Sequence, residues 1–206
     1  GKCNLCHVGA GGPGAEPPLF TDFTFDNLGV PVNPENPAFV ADETFRDPGL
    51  AGFLEGVSGY ADHADTNKGK HKVPTLRNVA KGSCEAAEDG KDKKKGKKHG
   101  KKDCITKAYM HNGYFKSLKQ VVHFYNTRDV KPACPSDTNY TVDEALAEGC
   151  WPAPEVAANV NTDELGDLGL SPEEEDALVV WMQAMDDGFF KGKDRLGLAH
   201  KDLAVP

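Results

Sequence analysis

Apolar residues recur at helical spacing in two stretches of the chain. In "KAYMHNGYFKSLKQVVHFYNTRD" (107–129), Ser117 is followed by Leu118, Val121, Val122 and Tyr125. This is the i, i+3, i+4, i+7 stripe of an amphipathic helix, and it turns Tyr125 inward. In "SPEEEDALVVWMQAMDDG" (171–188), Ser171 is an N-cap, Pro172 takes the first helical position and Glu174 closes a capping box. Leu178, Trp181, Met182 and Met185 form the apolar stripe of this second helix. In "GKHKVPTLRNVAKG" (69–82), Pro74 ends an extended segment and Thr75 predicts the cap of a short helix through Val79. Elsewhere the pattern breaks down. Pro17, Pro18, Pro31, Pro34 and Pro37 exclude a long helix over 18–37. Phe20, Phe23, Phe25 and Leu28 in that segment are read either as core residues or as a wrap around an apolar edge. Residues 131–170 are rich in Pro, Asp and Asn and read as irregular. The expectation is a mainly α fold with long irregular loops and few or no strands.

Composition sharpens this reading. With 22 Gly and 14 Pro but 38% hydrophobic residues, much of the chain must be loop held around something, and a bound group would supply that something. The 206 residues suffice for one large domain, read as 1–206 with an insertion at 84–104. The net charge of −8 conceals a segment, Lys91–Lys102 ("KDKKKGKKHGKK"), with eight lysines and one aspartate. Low-complexity Lys/Gly cannot form a core, so the segment reads as a solvated loop, with docking on an acidic partner as the functional alternative. No stretch approaches the ~20 apolar residues needed for a membrane span. Neither a nucleic-acid motif, a phosphate-cradling loop nor a Ser-His-Asp arrangement is present. His63, His71, His99, His123 and His200 show no partner spacing, and His123, near the helix face opposite Tyr125, is expected to be exposed.

The chemistry is concentrated at "GKCNLCH". C-x-x-C-H is the pattern of covalent c-type haem attachment, in which two thiols form thioethers and the adjacent imidazole binds the iron. Cys3 and Cys6 are therefore expected to carry one haem c, with His7 as its proximal ligand. A thioredoxin-type pair would need a βαβ context, and a zinc site would need a second ligand pair; the sequence offers neither. The remaining cysteines, Cys84, Cys104, Cys134 and Cys150, are even in number. They suggest two disulfides formed in an oxidising compartment, with Cys84–Cys104 and Cys134–Cys150 favoured among three connectivities.

"VPTLRNVA" (73–80) followed by "YMHNGYFKSLKQVVHFYN" (109–126) resembles the C-terminal haem domain of the bacterial dihaem cytochrome c peroxidase and MauG-like family. "FTFDNLGVP", "DPGLAGF" and "EEEDALVVWMQAM" fit the same pattern. The resemblance implies a cytochrome c-like fold and a second axial ligand from the helix after the His-Asn-Gly turn. The matching position is Tyr125, and Met110 is the thioether rival. It also implies that Arg77 pairs with haem propionates and that backbone carbonyls of Thr106 and Ala108 contribute to a calcium site. A periplasmic location is expected from the oxidising compartment in which haem c proteins mature, and a small cytochrome or cupredoxin as redox partner goes with the resemblance. The function implied is electron transfer to, or sharing of oxidising equivalents with, a peroxide-reactive second haem, the alternative being a monohaem electron-transfer subunit. Only Gly1 and Lys2 precede Cys3, so Trp181 and its neighbours are expected to be covered by a second haem domain or chain.

Overall fold

The computed structural model describes residues 2–11, 16–83 and 105–187. The Lys91–Lys102 segment and the expected Cys84–Cys104 bridge lie outside these residues. In chain order, a 3-10 turn at Lys2–Leu5 leads to β1 (Phe25–Asp26), α1 (Pro37–Ala41) and α2 (Leu50–Leu54). Two further 3-10 turns, β2 (His71–Lys72), α3 (Leu118–Thr127), α4 (Val142–Glu148) and α5 (Pro172–Gln183) follow. β1 and β2 form an antiparallel pair with Phe25 opposite Lys72 and Asp26 opposite His71. The predicted mainly helical, strand-poor architecture is what the chain adopts.

α3 positions the rest, and its residues explain how. The Ser117 hydroxyl accepts from Gln120 N at 3.1 Å, and Gln120 Oε1 accepts from Ser117 N at 3.1 Å, a reciprocal capping box. The helix then divides its faces three ways. Phe124 packs into a buried cluster with Tyr114, Phe115, Trp151 and the Cys134–Cys150 disulfide. Leu118 and Val122 pack with Val179 and Met182 of α5. Val121 and Tyr125 face a cavity. The Cys134–Cys150 bridge, which matches the expectation, closes a 16-residue separation and contributes about 3 kcal/mol by the loop-entropy argument.

Buried polar groups fix α3 at its lower end. Arg128 is 9% exposed. Its guanidinium donates to Asp129 at 2.8 and 2.6 Å, to Leu28 O at 2.9 Å and to Asn161 O at 2.7 Å. The Tyr125 carbonyl accepts from Gly166 N at 2.7 Å. Gly166 has φ +106°, and an added Cβ would collide with Asp129 Oδ2, so only glycine lets the chain pass this close.

Glu175, on α5, is 3% exposed and joins the two long helices. It accepts from Asn126 Nδ2 at 2.7 Å, His123 Nδ1 at 3.0 Å and Lys119 Nζ at 3.1 Å. His123 is therefore half-buried and paired, which corrects the expectation that it is exposed: Glu175, 52 residues away, supplies a partner that no local spacing reveals. Burial alone would raise the Glu175 pKa, but the bonds from Asn126, His123 and Lys119 outweigh it and hold the carboxyl below its ordinary value. A depressed folded-state pKa stabilises the chain above the unfolded value, and that stability is lost as pH falls through the folded value. Urea denaturation should show stability dropping from about pH 5 toward pH 3. Glu175→Gln should flatten this acid limb and cost about 2–3 kcal/mol near neutrality.

Two sequence expectations give way. The helix predicted over Thr75–Val79 does not form; residues 77–82 make turns instead. Asn78 lies at φ +61°, a left-handed conformation that breaks a right-handed helix. Thr75 Oγ1 accepts from Arg77 N at 3.1 Å and donates to Leu19 O at 2.5 Å. α5 ends at Gln183 rather than at 188, and the Met185 carbonyl accepts from Asn78 N at 3.1 Å. Within the stretch read as irregular, α4 forms on a capping box between Thr141 and Glu144.

Candidate functional site

Three contacts fold the "CNLCH" segment back onto the body of the chain. The Lys2 ammonium donates to the Asp163 carbonyl. The Cys6 thiol lies 3.6 Å from Glu164 Oε2 as a donor. His7 Nδ1 lies 2.8 Å from the Phe20 carbonyl oxygen. A carbonyl can only accept, so Nδ1 is the donor, and in the neutral ring Nε2 is the nitrogen with the lone pair. The local turn is closed by His7 N donating to Cys3 O at 2.8 Å.

Phe20 is held at φ +53°, a strained setting for a bulky residue. Its carbonyl thereby faces His7, while its ring meets Trp181 edge-on with centroids 5.9 Å apart. Trp181 thus has partial cover from this chain, through Phe20 of the proline-broken segment. It nevertheless stays 44% exposed.

Cys3, Cys6 and His7 line a cavity of about 770 Å³, within the ~300–1,000 Å³ range of pockets that enclose small organic groups. Its walls are mostly apolar: Leu28, Val30, Leu76, Val79, Val121, Leu178 and Met182 among them. Tyr125 and Met110 also line it. Tyr125 arrives there on the inward stripe of α3; Met110 reaches the wall from a turn where it takes φ +68°. Burial, then the neighbouring Cys3 and Cys6, push the Tyr125 hydroxyl well above the usual tyrosine value. Of the other site candidates, Thr106 lines the cavity, as does Ala108, and both are exposed. Arg77 is exposed, and its side chain is not part of the wall. Of the phenylalanine-rich segment, Leu28 lines the cavity, whereas Phe23 is 56% and Phe25 40% exposed.

The donor set fits a covalently attached haem. Cys3 and Cys6 are not joined to one another, so both thiols are available for thioethers. Burial and then the charge of Glu164 push the Cys6 thiol up to about 12. The thiolate needed for redox exchange or metal binding is thereby disfavoured. The same shift argues against Cys6, Asp26 and Glu164 as a cation site, although their ligand atoms lie within 4.8 Å of one another. Asn161 Nδ2 instead ties the two carboxylates together, donating to Asp26 Oδ2 at 2.5 Å and to Glu164 Oε2 at 2.7 Å.

The structure also pairs two histidines that no local spacing connects. His71 and His111 line the same cavity and stack with centroids 3.6 Å apart and planes 8° from parallel. Burial and then His111 lower the His71 pKa. His111 Nε2 lies 2.9 Å from Glu155 Oε2. Burial would raise the Glu155 pKa, but hydrogen bonds from His111, Asp47 N and Asn112 hold it below its ordinary value.

Comparison with known proteins bears on the family resemblance and on the fold. No family model matches the chain. It is 29% identical to the methylamine utilization protein MauG of Paracoccus denitrificans, over 90% of this chain and 39% of that protein. Its fold is similar to that of the dihaem peroxidase BthA of Burkholderia thailandensis, with a TM-score of 0.60 and 24% identity over 97% of this chain and 42% of that one. A tyrosine-to-methionine variant of that peroxidase gives a TM-score of 0.59 at 22% identity. The chain thus spans about two fifths of the length of these relatives. The likeness to MauG bears out the family resemblance, and the structural likeness bears out the cytochrome c-like fold.

Proposed function

We propose that the chain is a c-type haem redox domain of the dihaem cytochrome c peroxidase and MauG-like kind. Its haem would exchange electrons or share oxidising equivalents with a peroxide-reactive second haem carried on a further domain or chain. The observation that carries this reading is one cavity in which Cys3, Cys6 and His7 meet Tyr125. When bound, haem supplies one-electron iron chemistry tuned by its axial ligands.

The residues then have distinct tasks. Cys3 and Cys6 anchor the group, and the Phe20 carbonyl fixes the His7 tautomer and ring orientation. α3 presents the Tyr125 oxygen, and the apolar wall excludes water. From the resemblance, Arg77 serves the propionates, and the carbonyls of Thr106 and Ala108 help to hold calcium.

Exposed Trp181 and Val180, at 44% and 59%, with Leu5 at 51% and Leu19 at 45%, support a covering second haem domain. The Cys134–Cys150 bridge supports maturation in an oxidising compartment, here the periplasm. Among the described residues no helix is long and apolar enough to cross a membrane. The electron partner is a small cytochrome or cupredoxin.

Met110, in the same wall, favours a second reading, a monohaem cytochrome that only transfers electrons, since a thioether is the usual partner ligand of such haems. Haem per native polypeptide, measured by pyridine haemochrome and intact mass, separates the two. Two haems on a longer polypeptide support the peroxidase-like reading; one haem on a native chain that begins near Cys3 removes it.

A further inference from the structure

Asp47, His71 and His111 each offer a ligand atom, and the three atoms lie within 4.8 Å of one another. No part of the haem reading uses them. Their placement is built by the backbone. Gly49, at φ +61°, packs so closely on the residue before β2 that an added Cβ would collide with Lys70 O, and Leu50 N donates to that oxygen at 2.8 Å. The Asp47 turn is thereby pinned beside His71. Asp47 Oδ1 accepts from Gly49 N at 2.8 Å, which orients the carboxylate. On the other side Glu155, 5% exposed at its side chain, accepts from His111 Nε2 at 2.9 Å. It is itself held by Asp47 N at 3.2 Å and Asn112 Nδ2 at 2.9 Å. A carboxylate on one ring nitrogen is the arrangement that orients a metal-binding histidine through the other nitrogen.

We propose that Asp47, His71 and His111 bind a divalent transition-metal ion of zinc's class, with Glu155 orienting His111. Two imidazoles and a carboxylate suit such borderline ions, whereas calcium and magnesium take oxygen ligands throughout. Asp47 and Glu155 together match the ion's charge. Parallel rings present their lone pairs side by side, so convergence on one ion takes a rotation about the soft χ2 torsion. Three protein ligands leave a fourth position for water or an exogenous ligand. His71 and His111 also line the large cavity. The bound ion ties the turn carrying Met110 to β2.

Titration of the intact purified chain with zinc chloride, followed by calorimetry and zinc-edge X-ray absorption, tests the site. The expected result is one ion per chain with two imidazole nitrogens and one carboxylate oxygen at about 2.0–2.2 Å. His71→Phe keeps a stacking ring, and Asp47→Asn keeps the acceptor for Gly49 N. Each should weaken zinc binding by more than ~10-fold, the scale on which even outer partners of a metal act, while the circular dichroism stays that of the parent. Absence of binding, affinity unchanged in either folded variant, or an absorption spectrum without two imidazoles would overturn the proposal.

Discussion

The Cys3→Ala/Cys6→Ala chain should emerge without covalently bound haem. Intact-mass measurement under denaturing conditions should find the bare polypeptide, and any pigment present should extract into acidified organic solvent. Each single variant should retain the group by one thioether. The effect should extend to stability, because a group that fills a cavity of about 770 Å³ packs against the apolar wall only in the folded chain. On the scale of a deleted buried aromatic, its loss costs about 3–5 kcal/mol, or ~10 °C of Tm at 2–4 °C per kcal/mol for a chain of this size. Covalent haem retained by the double variant would refute the assignment of "CNLCH". A rapid thiol-exchange role for the pair is disfavoured by the Cys6 thiol pKa, pushed up to about 12.

Tyr125→Phe should alter the ferric absorption spectrum and raise the midpoint potential. Phenylalanine preserves the packing against Phe124, 6.4 Å away between ring centroids, and removes only the oxygen. An oxygen donor favours ferric iron, and a thioether favours ferrous iron. Since axial ligands command a span of ~0.8 V, the rise should be on the order of 100 mV. Met110 lines the same wall and is the natural replacement donor, so Tyr125→Phe/Met110→Leu should give a different spectrum from Tyr125→Phe alone. An unchanged ferric spectrum in Tyr125→Phe would exclude Tyr125 as ligand and leave Met110.

Features written in a few consecutive residues are legible in the amino-acid sequence itself. Ser117 with Gln120 and Ser171 with Glu174 cap the two long helices, the helical stripe brings Tyr125 to the cavity, and Cys134 pairs with Cys150. The signal for α4, Thr141 followed by Glu144, is equally local but is hidden among prolines and aspartates. The short helix at Thr75 does not form because Asn78 adopts a left-handed conformation to meet Met185 and Asp187. Contacts between distant segments leave no trace in local pattern. Arg128 reaches Leu28 across 100 residues, and Cys6 reaches Glu164 across 158. Asp47, His71, His111 and Glu155 become a cluster only through the close approach at Gly49.

The acceptor that orients His7 belongs to the backbone of residue 20. Every amino acid has that oxygen, so no substitution of the Phe20 side chain deletes it. A scan of point variants would register the lost ring against Trp181 and miss the bond to the imidazole altogether. In genetic terms the orientation of this ligand is encoded in the path of the main chain. A single codon reaches it only by changing that path, as proline would at a residue held at φ +53°, and an insertion or deletion in the loop would move the carbonyl outright.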